Sequence, residues 1–224
     1  MNKNLASLMS MMVMMSAGSA AAQDAWTKST MIVPDRLVWS GVYAGVQGGY
    51  GQADAKGALA AVGSLTAKPQ GGFVGGHIGF NHQVEHLVFG VEADMEASGI
   101  RRTYRFGPDS GTLSSAWMGS LRARFGMAFD SVLVYATAGF SVAEGSARIN
   151  ATALSTPEKQ SETFYGHTFG FGVEYAFSRN FSMRAEWRTS RYQPKTYSFF
   201  APGDARLDLA MQTVRVGQAI ASRP

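Results

Sequence analysis

The chain has 224 residues with 26 Gly, 12% aromatic residues, no Cys and a formal net charge of +4. That length suits one barrel or sandwich domain and not two, and the lack of Cys excludes a disulfide scaffold, a thiolate metal site and a cysteine nucleophile. So mild and dispersed a positive balance gives no reason to expect nucleic acid as a partner, and abundant Gly argues against helices, where it costs about 0.8–1 kcal/mol relative to Ala.

Residues 1–22 read as a secretory signal. Lys3 supplies a positive start, Leu5 to Met15 an apolar run, and Ala20-Ala21-Ala22 a small-x-small cleavage site before Gln23, so Ala20, Ala22 and Gln23 mark the expected cut. The rival, a membrane anchor, falls short of the roughly 20 apolar residues a spanning helix needs. Processing would remove Lys3 and leave 19 bases against 16 acids, a charge of +3. Residues 23–38 contain Pro34 and no sustained period, as expected of a periplasmic leader. No later segment is long enough for a spanning helix, so membrane insertion would have to use strands.

From residue 39 onward the chain alternates with a period of two, the signature of strands with unlike faces. The first apolar face is Val42, Ala44, Val46, Gly48 and Tyr50; the second Val74, Gly76, Ile78 and Phe80; the third Leu87, Phe89, Val91, Ala93 and Met95. The fourth is Trp117, Leu121, Ala123, Phe125, Met127 and Phe129; the fifth Val134, Ala136, Ala138, Phe140 and Val142. The sixth is Tyr165, His167, Phe169, Phe171, Val173, Tyr175 and Phe177; the seventh Phe181, Met183, Ala185 and Trp187; the eighth, weaker, Val214, Val216 and Ile220.

None of these faces carries a formal charge, and a charge facing lipid at mid-bilayer costs about 2–4 kcal/mol. The opposite faces hold Glu92, Asp94, Glu96, Glu174 and Glu186 together with Arg122, Arg124, Arg184, Arg188 and Arg215. The bore of an eight-stranded barrel is only just wide enough for its own side chains. Five acids and five bases facing inward are therefore expected to pair as a salt-bridged plug; an ion pathway is the functional rival.

Short connections at 82–86, 130–131 and 178–180 alternate with long polar ones at 54–70, 99–112, 144–162 and 193–206. The pattern predicts an all-β, eight-stranded antiparallel up-and-down transmembrane barrel over 39–220, with a tail at 221–224. Both termini and the short turns would face the periplasm and the long loops the exterior. Aromatic residues fall beside both sets of connections, as in the two girdles of such barrels. A soluble lipocalin-type barrel has the same period with the faces reversed. Uncharged apolar faces, a polar face rich in Gly, Ser and Thr, and the export signal favour the membrane version.

Trp39-Ser40-Gly41-Val42-Tyr43-Ala44-Gly45 resembles the opening strand of the small alphaproteobacterial outer-membrane barrels called outer-membrane immunogenic proteins, related in architecture to the OmpA and OmpX type. Gly71 to Gly76 and Val88 to Asp94 resemble their second and third strands, and Ser120-Leu121-Arg122-Ala123-Arg124-Phe125-Gly126 the fourth. Gly172 to Phe177, Met183 to Arg188 and Thr213 to Gly217 resemble the last three. The resemblance implies a surface-exposed barrel and antigen that maintains the envelope; some members are described as porin-like or haemin-binding. It also implies lipid, lipopolysaccharide and the barrel-assembly machinery as partners. Two features depart from the family pattern: Ser222 stands near its usual terminal Phe, with Gln218 on the lipid face, and His167 stands where Trp is frequent.

Other chemistry is sparsely written. His82 and His86 flank one short turn without an evident third ligand, so they read as solvated turn residues rather than a metal pair. His77 points to the polar face and joins the plug. No cofactor is expected; a haemin site would use aromatics of the long connections such as Tyr104, Phe106, Tyr197, Phe199 and Phe200, where no histidine supplies the usual axial ligand although Tyr can serve. A Ser–His hydrolase would need His167 with Ser115 or Ser190, and nothing in the spacing specifies it, so no enzyme is expected. Arg101, Arg102 and Arg105, with Lys56 and Lys68, form basic outer segments that read as solvated or as contacts for lipopolysaccharide phosphates.

Overall fold

The computed structural model describes residues 38–59, 63–106, 109–150, 158–199 and 203–223. Every regular element among them is a strand: β1 (Gly41–Leu59), β2 (Gly63–Ala67), β3 (Gln70–Val84), β4 (Leu87–Ser98), β5 (Arg101–Phe106), β6 (Asp109–Ser114), β7 (Trp117–Phe129), β8 (Val132–Asn150), β9 (Glu158–Ala176), β10 (Phe181–Tyr192), β11 (Lys195–Phe199) and β12 (Gly203–Ser222). They form eight staves, because β2–β3, β4–β5, β6–β7 and β10–β11 are each one path interrupted by two residues. Pro69 and Pro194 account for two of the interruptions: each lacks the N–H a ladder requires.

All neighbours are antiparallel, and the ring closes where β1 pairs with β12 from Val42↔Ser222 to Leu59↔Ala205. Three tight connections join β3–β4, β7–β8 and β9–β10. Glu85 (φ 55°) and Asp130 (φ 48°) take the left-handed conformation in the two-residue turns, as the right-handed twist of the flanking strands demands. β1 starts and β12 ends at this same rim.

The faces sort as alternation predicts. Ile220 (69% exposed), Phe140 (68%) and Met95 (64%) point outward, whereas Arg122 and Glu92 (1% each) point into the bore. A continuous apolar wall around a charged interior is the arrangement of a barrel in lipid and the reverse of a soluble one.

Two expectations need correction. The long connections at 54–70, 99–112, 144–162 and 193–206 are mostly ladder: β8 and β9 remain paired out to Ile149↔Glu158, and β5 and β6 out to Phe106↔Asp109. Their polar side chains read as a loop, while the pairing itself uses only backbone groups; Ala55, Ala67, Ile100 and Ser146 within them still turn a buried side inward. The segment 221–224 is not wholly a tail either. Ala221 and Ser222 continue the ladder opposite Tyr43 and Val42, with Ala221 buried in the bore.

Candidate functional site

The bore is filled in three layers. At the short-turn rim, Trp39, Val88, Ala128, Leu133, Tyr135 and Ala176 pack as an apolar cluster. Trp39 precedes β1 and folds inward: its indole N–H donates to the Asp130 carbonyl (3.3 Å) and its backbone N–H to Gln83 Oε1 (2.6 Å). The Arg223 guanidinium lies 4.3 Å from the Trp39 ring centroid. At the long-hairpin end a second apolar cluster holds Ala53, Phe73, Ile100, Met118, Ala143, Phe164, Tyr192 and Met211.

Between them lie all ten predicted charges, each buried. Glu92 is the hub. It accepts short contacts from Arg122 Nη2 and Arg184 Nη1, a hydrogen bond from Tyr43 Oη (2.7 Å), and has Arg124 Nη1 at 3.8 Å. Arg124 donates to Glu174, which also accepts from Ser182 Oγ (2.6 Å). The Arg124 guanidinium lies 3.7 Å from the Tyr135 ring centroid, a cation–π contact that links the charges to the lower apolar layer.

On the other side of the hub, Arg122 reaches Glu186 (2.8 Å), Thr137 (3.0 Å) and Asp94 (2.9 Å). Arg188 donates to Glu186 (2.9 Å) and Asp94 (3.1 Å), and Ser120 to Asp94 (2.7 Å). Gln47 bridges the two halves, accepting from Arg184 and donating to Glu96 (2.6 Å). Glu96 also accepts from Arg215 (3.3 Å), whose Nη1 lies 3.7 Å from Glu186. The ten charges thus form one connected network. Ions taken out of water are costly unless paired and hydrogen-bonded, and here every acid meets at least one arginine.

Sequence reasoning did not single out Tyr43, Gln47, Ser120, Thr137 and Ser182 as members. Their signal was present: all five share the inward parity with the charges. Close backbone approach makes the room. A Cβ on Gly79 would lie 2.4 Å from the Tyr43 ring, and one on Gly172 would lie 2.7 Å from Tyr135.

The remaining candidates are scattered. His77 is buried in the bore beside Tyr43 (ring centroids 6.1 Å), whereas His82 and His86 are exposed. Among the described residues no group of three or more potential metal ligands converges. His167 faces outward, but Ser190 and Ser115 are buried, and Ser190 donates to Thr168 (2.9 Å). The sketched Ser–His pair is therefore not assembled, because Ser190 and His167 lie on opposite faces of the wall. Arg101, Arg102 and Arg105 are exposed on β5 rather than in a loop, and the Tyr104 hydroxyl accepts from the Lys68 N–H (3.2 Å). Phe106 stands in β5, and Tyr197 and Phe199 in β11. Phe200 and the cleavage residues Ala20, Ala22 and Gln23 lie outside the described residues.

The chain matches the outer membrane protein beta-barrel domain family over residues 10–217. It is 32% identical over 185 residues to a 25 kDa outer-membrane immunogenic protein of Brucella canis, covering 83% of this chain and 80% of that protein. A 22 kDa outer membrane protein of Rhizobium leguminosarum bv. viciae is 32% identical over 163 residues, 71% of this chain and 67% of that one. Among solved structures, Neisserial surface protein A is similar with a TM-score of 0.43 and 18% identity, covering 82% of this chain and 98% of that one. The Ail protein of Yersinia pestis is similar with a TM-score of 0.41 and 15% identity, over 80% of this chain and 99% of that one. With its closed ring of strands, apolar outer wall and charged bore, this chain belongs to the outer membrane protein beta-barrel domain family.

Proposed function

We propose that this chain is an exported structural barrel, exposed at the cell surface and serving envelope integrity or host contact, with neither catalysis nor conduction. Residues 1–22 direct export and leave after Ala22. The assembly machinery inserts the barrel with the short-turn rim in the periplasm and the long hairpins outside, among outer-membrane lipid and lipopolysaccharide.

The observation that carries this reading is the filled bore: ten paired charges lie between two apolar layers. An ion pathway needs a continuous hydrated route, and both apolar layers oppose one. The same layers weigh against the narrow-porin alternative. The test is single-channel recording of the refolded protein in planar bilayers. The expected trace stays at the bare-bilayer baseline. Stable, stepwise conductance proportional to inserted protein would overturn the sealed-barrel reading.

A further inference from the structure

The outer wall formed by β9 and β10 is apolar and aromatic through Tyr175, Val173, Phe171, Phe169, Met183 and Trp187. Towards the long-hairpin end it then presents two bases. Arg191 and His167 stand directly opposite each other in the β9–β10 register, both outward and exposed. Such neighbours have Cβ atoms about 4.5–5.5 Å apart. Within the paired segments 181–192 and 166–176, Arg191 is the one outward formal charge.

No described residue bonds or ion-pairs with Arg191. On its β12 side the opposing residue is Ala210, and the acid nearest in register, Asp208, faces Lys56 of β1. The His167 ring lies against Phe140, with centroids 5.7 Å apart, and the exposed Tyr165 stands one outward position further along β9.

An unpaired arginine on a lipid-facing wall is costly at the bilayer centre and tolerable at its edge, where its stem lies on apolar surface and its head reaches polar groups. The guanidinium fork matches two oxygens of a phosphate, which imidazole N–H and phenol O–H groups can also reach. The aromatic wall below suits acyl chains. Phosphate above and hydrocarbon below are together the chemistry of a phosphorylated lipid.

We propose that Arg191 and His167, with Tyr165, form a phosphate site on the outer wall for a phosphorylated glycolipid of the lipid A type. The choice of glycolipid rests on the orientation given under Proposed function, which puts this rim in the outer leaflet.

The test uses the folded protein in neutral detergent, with bound lipid counted by native mass spectrometry. The probes are bisphosphorylated lipid A, its dephosphorylated form and phosphatidylglycerol. Wild type is expected to retain one lipid A, and Arg191→Gln and His167→Gln to bind it more weakly, by about tenfold for Arg191→Gln, the loss of one charge-assisted interaction. Arg191→Lys, which keeps the charge but not the fork, should fall between. Both glutamine variants alter exposed positions and should keep the heat-dependent gel mobility of the folded barrel.

Equal retention of lipid A by wild type and Arg191→Gln, or of phosphorylated and dephosphorylated lipid A by wild type, would overturn the site. Phosphatidylglycerol binding as well as lipid A would overturn the glycolipid assignment. Binding in micelles does not depend on orientation in the cell, which is read separately by labelling a Lys68→Cys variant on intact cells. Labelling only after the outer membrane is breached would overturn the orientation, and with it the outer-leaflet assignment, while leaving the phosphate site measured in micelles standing.

Discussion

Glu92 carries more of the bore than any other acid: three arginines and the Tyr43 hydroxyl converge on its carboxylate. Removing one member of a buried ionic cluster leaves partners charged and unpaired, at a cost of about 3–5 kcal/mol. Glu92→Gln should therefore reduce the unfolding free energy of the vesicle-inserted barrel by that much and lower its urea midpoint accordingly, followed by tryptophan fluorescence. An unchanged midpoint would show that Arg122 and Arg184 find other partners. Part of this arrangement was legible in the sequence. Glu92 and Arg122 are cross-strand neighbours in β4 and β7, and inward parity alone marks them as facing the bore. The contacts of Arg184 with Glu92 and of Arg188 with Asp94 were not legible, because β10 and β4 lie across the bore and no register relates them.

At the scale of elements, the β8–β9 hairpin departs furthest from the sequence reading. Its polar segment 144–162 was expected as a loop, yet Glu144↔Thr163, Gly145↔Glu162 and Ser146↔Ser161 continue the ladder. Hydropathy does not separate a loop from a strand whose inward positions are small or polar, as Ser146 is, because the apolar period that marks a strand is then lost. The structure predicts slow amide hydrogen exchange at ladder-bonded positions through 143–147 and 160–164 in the micelle-embedded protein. Exchange there at unstructured rates would return these segments to loops. Pro69 and Pro194 mark the places where the wall pauses, and a proline in a central strand is a signal the sequence states openly.

For the whole molecule, a closed ring has no free edge at which to begin unravelling, and its outer wall is covered by detergent as it would be by lipid. The refolded protein should run faster on a gel when unboiled than when boiled. A single band at the unfolded position under both conditions would show that the ring had not closed. Period-two alternation and the alternating connections marked an eight-staved barrel, and the charge-free apolar faces, the Gly-, Ser- and Thr-rich polar faces and the export signal together favoured the inside-out form, because a local pattern of faces maps directly onto which side meets hydrocarbon. The inward charges were legible in sequence, but how the bore is packed at its two ends and across its middle was decided only by tertiary structure. Trp39 entering from before β1, Phe164 and Met211 closing the other end, and Gln47 bridging Arg184 to Glu96 are contacts between distant residues. Such contacts depend on how the ring closes and on its diameter, and neither is encoded in any one strand.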